Sequence, residues 1–201
     1  MSDVHVHLRN NIFWLLLDRP PLNPLTTKML EKLTLSIHQA IKLAPHLIVV
    51  TGMGEQAFCA GVDLPDDSEA RRAELLHTAR NAEIAFDELH LHRIPTAALL
   101  KGSVFGPGCE LAALCDTVIA RDDAVFRLPA VNAKIFPNVV SMRLPAMIGR
   151  ETTNRLVQNG ETLNAHEALR LGLVHQVVPR RRFLPDTEEL LVMLATVGKS
   201  A

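Results

Sequence analysis

Residues 47–64 read Leu47-Ile48-Val49-Val50-Thr51-Gly52-Met53-Gly54-Glu55-Gln56-Ala57-Phe58-Cys59-Ala60-Gly61-Val62-Asp63-Leu64. An unbroken apolar run passes here into a stretch of glycine and alanine. Residues 47–50 are too few for a helix, and their lack of alternation predicts a strand buried on both faces. Upstream, Leu30, Leu33, Ile37 and Ile41 recur at helical spacing from Thr26 until Pro45 stops them. A helix leading into a doubly buried strand is what a parallel sheet requires. The succession returns downstream. Leu75, Ala79, Ala82, Phe86 and Leu89 form one apolar stripe within 66–92, Pro95 ends it, and 96–100 is a second buried strand. Residues 109–115 read as a helix buried nearly all round, and 117–120, 125–128 and 173–178 as strands. Two strands at 4–8 and 12–17, joined by Asn10 and Asn11, open the chain as a hairpin. Asn164 with Glu167 predicts a capping box, Gly172 the end of that helix, and 186–197 a last helical segment. The class is α/β with crossover helices, in a single domain over 1–201. No internal sequence repeat is visible.

Composition narrows the function. A hydrophobic fraction of 48% with 21% charged residues describes a globular chain rather than a disordered one. The net charge is −1, and basic residues cluster only at Arg180, Arg181 and Arg182, so no basic face is expected for nucleic acid or membrane. That triplet reads as a solvated turn. Cys59, Cys109 and Cys115 lack metal-ligand spacing, and their odd number suits a reducing compartment; the expected location is the cytoplasm. No signal peptide is apparent, because the apolar run at 12–17 is too short. His90 and His92 lie near a helix end and read as polar surface. No metal site is expected.

Two strand-to-helix loops stand out: 56–64, after the strand ending at Val50, and 102–110, after the strand ending at Leu100. Ligands of α/β sheets bind where such loops leave the C-terminal ends of strands. Each loop is expected to begin a helix, whose free N–H groups and positive dipole end would stabilise a carbonyl oxygen gaining negative charge. Taken singly, the glycines of either loop are better explained as tight turns.

Four blocks together carry more. The stretches LDRPPLNPLT, LIVVTGMGEQAFCAGVDL, IPTAALLKGSVFGPGCELAALCDTVIARDDAVFRLPAV and GETLNAHEALRLGLVHQVV resemble the enoyl-CoA hydratase/isomerase (crotonase) family in order, spacing and residue type. The resemblance runs from about Leu15 to Val178. It implies a crotonase-like (ClpP/crotonase) spiral of βαβ units over 1–178, followed by a short C-terminal helical segment, 179–201, where family members continue through further helices. It implies an acyl thioester, carried by CoA or by the phosphopantetheine of a carrier protein, as substrate, with no other cofactor. It also implies a homo-oligomer, trimer or hexamer.

Carried over residue by residue, the family's first oxyanion-hole donor is the N–H of Val62. The second falls on Pro107, which has no N–H, so either Gly108 supplies it, or one donor serves alone, or the carbonyl is held differently. Glu110 matches one of the two family carboxylates. The other position, after Pro129, is Ala130, which neither gives nor takes a proton. A single carboxylate can still shuttle one proton, as in double-bond isomerisation; hydration or dehydration, decarboxylation and cyclisation stay open. Glu110 is alternatively a carboxylate paired inside the core. Ala57, Ala60, Gly61, Asp63, Leu64 and Gly106 are the expected substrate-binding residues. Asn138 joins them as a hydrogen-bonding group, or is a turn residue after Pro137. Pro107 and Ala130 also fit a family member that binds thioesters or partners without catalysis.

Overall fold

The computed structural model describes residues 3–64, 66, 68–129 and 135–199. Strands β1 (Val4–Arg9) and β2 (Ile12–Leu17) pair antiparallel, Arg9 facing Ile12. The turn holds Asn10 at φ 52° and Asn11 at φ 60°. Asparagine tolerates this left-handed region, which two-residue hairpins require. Helix α1 (Thr27–Leu43) is capped by the Thr26 side chain, which accepts from the Met29 N–H, and it ends at Ala44, just before Pro45.

Three turns of chain then follow one pattern. Strand β3 (Leu47–Gly52) leads to β4 (Ala57–Ala60), β5 (Thr96–Leu100) to β6 (Ser103–Phe105), and β7 (Thr117–Arg121) to β8 (Val125–Arg127). The first strand of each pair enters a six-stranded sheet, ordered β1-β2-β3-β5-β7-β10, and the second enters a four-stranded sheet, ordered β4-β6-β8-β9. Helices α2 (Glu69–Leu91) and α3 (Pro107–Ala113) return the first two turns. The chain is therefore the expected spiral, and it contains a structural repeat that the sequence does not reveal. The repeat lies in the backbone path, and return helices of 23 and 7 residues leave no constant period.

Alternate residues of the doubly buried strands serve two cores. Ile48, Val50, Ala98 and Leu100 pack with α1, α2 and α3, whereas Leu47, Val49, Ala97 and Leu99 face Phe183, Leu191 and Ala195 of α7 (Phe183–Lys199). Residues 137–159, unassigned by the sequence reading, carry a π-helical turn (Val139–Arg143), α4 (Leu144–Ile148) and α5 (Arg150–Asn159). Strand β9 (Thr162–Asn164) precedes α6 (Ala165–Leu171), whose capping box joins Asn164 and Glu167 and whose C-cap is Gly172. Strand β10 (Gln176–Val178) is shorter than expected, because Leu173 and Val174 turn back to the Ala168 carbonyl.

Two other expectations need correction. The stretches 56–64 and 102–110 are not plain loops, since each contains a strand of the second sheet. Helix α3 starts two residues earlier than the 109–115 reading and stops at Ala113. Proline at its first position costs nothing there, because that N–H would have no helical partner anyway. Arg180, Arg181 and Arg182 form an exposed 3-10 turn, in line with the solvated reading. No helix among the described residues is long and apolar enough to cross a membrane.

Candidate active site

Strands β4 and β6 lie side by side and parallel, with Ala60 opposite Phe105. The segments that follow, Gly61-Val62-Asp63 and Gly106-Pro107-Gly108, therefore leave one edge of the second sheet together, on strands about 4.8 Å apart. Gly61 has φ 123° and Gly106 φ 53°, conformations that side chains rarely adopt. Gly108 is required by space instead. A Cβ there would sit 2.1 Å from the Cys59 carbonyl oxygen, so α3 docks its backbone directly on β4.

This arrangement leaves two N–H groups over. The Leu25 N–H donates to the Gly61 carbonyl at 2.9 Å and the Asp63 N–H to the Leu25 carbonyl at 2.8 Å. Val62, between them, therefore turns its own N–H and C=O away from Leu25. In the first turn of α3, Cys109 and Glu110 both donate to the Gly106 carbonyl, at 2.9 and 3.2 Å. Pro107 has no N–H. Among the described residues, neither the Val62 nor the Gly108 N–H has a backbone partner. Continuing the register from Ala60 and Phe105 sets Val62 opposite Pro107, one residue short of Gly108. Against the expectation that both loops begin helices, only Gly108 lies at a helix start: α2 begins at Glu69 behind a Ser68 cap, well beyond Val62.

Glu110 is fully buried on α3. Its carboxylate accepts from the N–H of Ile135 at 3.1 Å and of Phe136 at 2.5 Å, which ties α3 to the segment entering the π-helical turn. The paired-carboxylate alternative is thus what this conformation presents. Asn138 is half-buried at the start of that turn and its side chain caps no N–H there. Ala130 lies outside the described residues.

The remaining expected binding residues divide. Ala60, Gly61 and Gly106 are half-buried around the two donors, and Val62 is 37% exposed. Ala57 presents no surface to a ligand, since it is 0% exposed and its carbonyl accepts from Asn23 Nδ2 at 3.0 Å. Asp63 is ion-paired with Arg19, and Leu64 packs on the core. Sequence reasoning missed the part played by Arg19 and Asn23. Fully buried, Asn23 also holds the Met53 carbonyl at 2.9 Å and accepts from the Arg19 N–H at 2.9 Å, tying residues 19–23 to the start of β4. The signal was present: a polar residue between prolines in a block otherwise bound for the core.

The cysteines are packing groups. Burial pushes the Cys59 thiol up to about 12, and raises Cys109 as well. The Cys109 thiol donates to the Val104 carbonyl at 2.9 Å. Neither is a thiolate near neutral pH. Arg127 is exposed, and His90 pairs with Asp116 at 3.0 Å. No group of metal-ligating side chains occurs among the described residues.

Known proteins resemble this chain in sequence and fold. The family model for enoyl-CoA hydratase/isomerase matches residues 7–201. A carnitinyl-CoA dehydratase of Proteus mirabilis is 30% identical over 197 residues, which are 96% of this chain and 75% of that protein. A crotonyl-CoA hydratase of Syntrophomonas wolfei is 31% identical over 159 residues, covering 79% of this chain and 61% of that one. The solved structure of Pseudomonas aeruginosa DspI superposes with a TM-score of 0.87 at 27% identity, covering 98% of this chain and 81% of that one. With its spiral of paired strands and its two turns leaving one sheet edge, the chain belongs to the enoyl-CoA hydratase/isomerase family.

Proposed function

We propose that the chain binds an acyl-CoA thioester with its carbonyl oxygen directed at the N–H groups of Val62 and Gly108, and that Glu110 moves a single proton on the resulting enolate. The observation that carries this reading is the pair of N–H groups that have no backbone partner among the described residues, on turns leaving adjacent strands. When the α-C–H bond breaks, its electron pair moves onto the thioester oxygen, where each fixed donor is worth about 2.7–4 kcal/mol. The proton passes to the Glu110 carboxylate. If the carboxyl proton is first replaced from solvent, its delivery to the α-carbon gives exchange; delivery to the γ-carbon of an enoyl chain moves the double bond. Hydration by two carboxylates is not proposed, because Ala130 stands at the second position. The relatives named as a carnitinyl-CoA dehydratase and a crotonyl-CoA hydratase support the CoA thioester as substrate class.

A second reading, thioester binding without turnover, is favoured by the complete burial of Glu110 and its two backbone partners. For catalysis, the acyl chain must gain access to this buried carboxylate. The two readings separate by NMR in deuterated water. With butyryl-CoA and a 3-enoyl-CoA, the catalytic reading predicts α-proton exchange that falls about a hundredfold or more in Glu110→Gln. Saturable binding with no exchange in wild type supports the second reading, and absence of binding removes both.

A further inference from the structure

A cavity of about 570 Å³ lies on the far side of the six-stranded sheet from Glu110, between that sheet and α7. Its volume falls within the roughly 300–1,000 Å³ typical of small-molecule sites. The wall is apolar: Ile12, Trp14 and Leu99 from the sheet, Phe183 and Leu191 from α7. One end is closed by charge. Arg121, with a side chain only 5% exposed, holds Asp123 at 2.6 Å and Glu55 at 2.5 Å. Lys101 Nζ lies 3.8 Å from Glu55, and Arg180 lies 3.8 Å from Glu55 and 3.5 Å from Asp123. Three cations thus share two carboxylates. The other charged lining residues, Arg9 and Glu188, are one of each sign, so the lining cations exceed the lining carboxylates and Asp123 by one, while Asp122 meets Arg180 at its backbone N–H, 3.0 Å away.

Lys101 is the cation best placed to serve a ligand. Arg121 is saturated by its two carboxylates, and Arg180 is 62% exposed, whereas the Lys101 side chain is 17% exposed. Desolvation pulls its ammonium below the usual lysine value, and a distant Glu55 only partly offsets this. An anion seated at the ammonium would replace the lost hydration.

We propose that this cavity binds an amphipathic monoanion, an apolar tail lying along Trp14, Leu99 and Leu191 with a carboxylate at Lys101. The site is independent of the thioester reading, because the sheet separates the two. Trp14 is the only tryptophan and the chain has no tyrosine, so intrinsic emission reports on this cavity alone.

The test titrates decanoate and decanol into the full chain while following Trp14 emission, with sedimentation velocity in parallel. Decanoate is expected to give a saturable blue shift and to bind about tenfold more tightly than decanol, the difference made by one charge-assisted contact. Lys101→Met should lower decanoate to the level of decanol and leave decanol unchanged, and Lys101→Arg should retain the preference. Leu99→Phe, which fills the cavity, should lose both ligands; decanoate should raise the melting temperature of wild type and not of this variant. Glu110→Gln should bind decanoate as wild type does. Equal affinity for decanoate and decanol, a shift that never saturates, or emission that follows protein self-association and ignores decanoate would overturn the proposal.

Discussion

The turn after β4 and the turn after β6 leave neighbouring strands, both begin with a glycine at positive φ, and both leave one N–H without a backbone partner among the described residues, yet they do so by different means. After β4, a parallel bridge to Leu25 takes the N–H of Asp63 and the carbonyl of Gly61, and Val62 is freed because a bridge uses only alternate groups. After β6, a helix begins. Its first position is a proline with nothing to give, its third and fourth N–H groups fold back on Gly106, and Gly108 alone is left. The first donor is thus set by strand-like pairing and the second by a helix start. The second is the more fragile, because its position depends on α3 lying against the Cys59 carbonyl.

That contrast is open to attack. Gly108→Ala should do the most damage: its Cβ would meet backbone at 2.1 Å, and urea unfolding should show a loss of about 3 kcal/mol. Gly61→Ala meets nothing within 4 Å, so only its φ of 123° matters, and about 1–2 kcal/mol is expected. Equal losses at the two sites would mean that α3 does not dock as described. Pro107→Gly restores an N–H at the position opposite Val62. If Gly108 already serves as second donor, α-proton exchange should change less than about tenfold, whereas a rise of about a hundredfold would show that the site lacks that donor. The smallest effect is expected of the thiols. All three are buried, so Ellman's reagent at pH 8 should label none in the native protein and all after urea. The folded Cys59 thiol, raised from 9.0 to about 12, leaves stability untouched below pH 9 and erodes it as pH climbs from 9 through 12.

Much of this comparison was legible in the sequence. The hairpin, α1, α2, β5 and the capping box at Asn164 follow from short-range pattern, and the resemblance of four blocks pointed to Val62, Pro107 and Glu110. Strands β4 and β6 were hidden because each is short and set among glycines: Ala57–Ala60 is apolar but only four residues long, and the three residues Ser103–Phe105 are too few to show alternation. The partners of Glu110 lie 25 and 26 residues away, and those of Asp63 and Ala57 at 44 and 34. Local periodicity carries no information about such pairs. The separation of the two cores was implicit in β3 and β5, whose residues are apolar on both faces, but which helix covers which face is decided by the path of the spiral.

One carbonyl oxygen is expected to be held by two backbone donors built in these two ways. The structure of a complex with a non-reactive acyl-CoA ester analogue decides it: the carbonyl oxygen should lie within about 3.2 Å of both the Val62 and the Gly108 nitrogen, with the acyl chain toward Glu110. A carbonyl bound away from Val62, or touching Val62 while Gly108 stays out of hydrogen-bond reach, would contradict it.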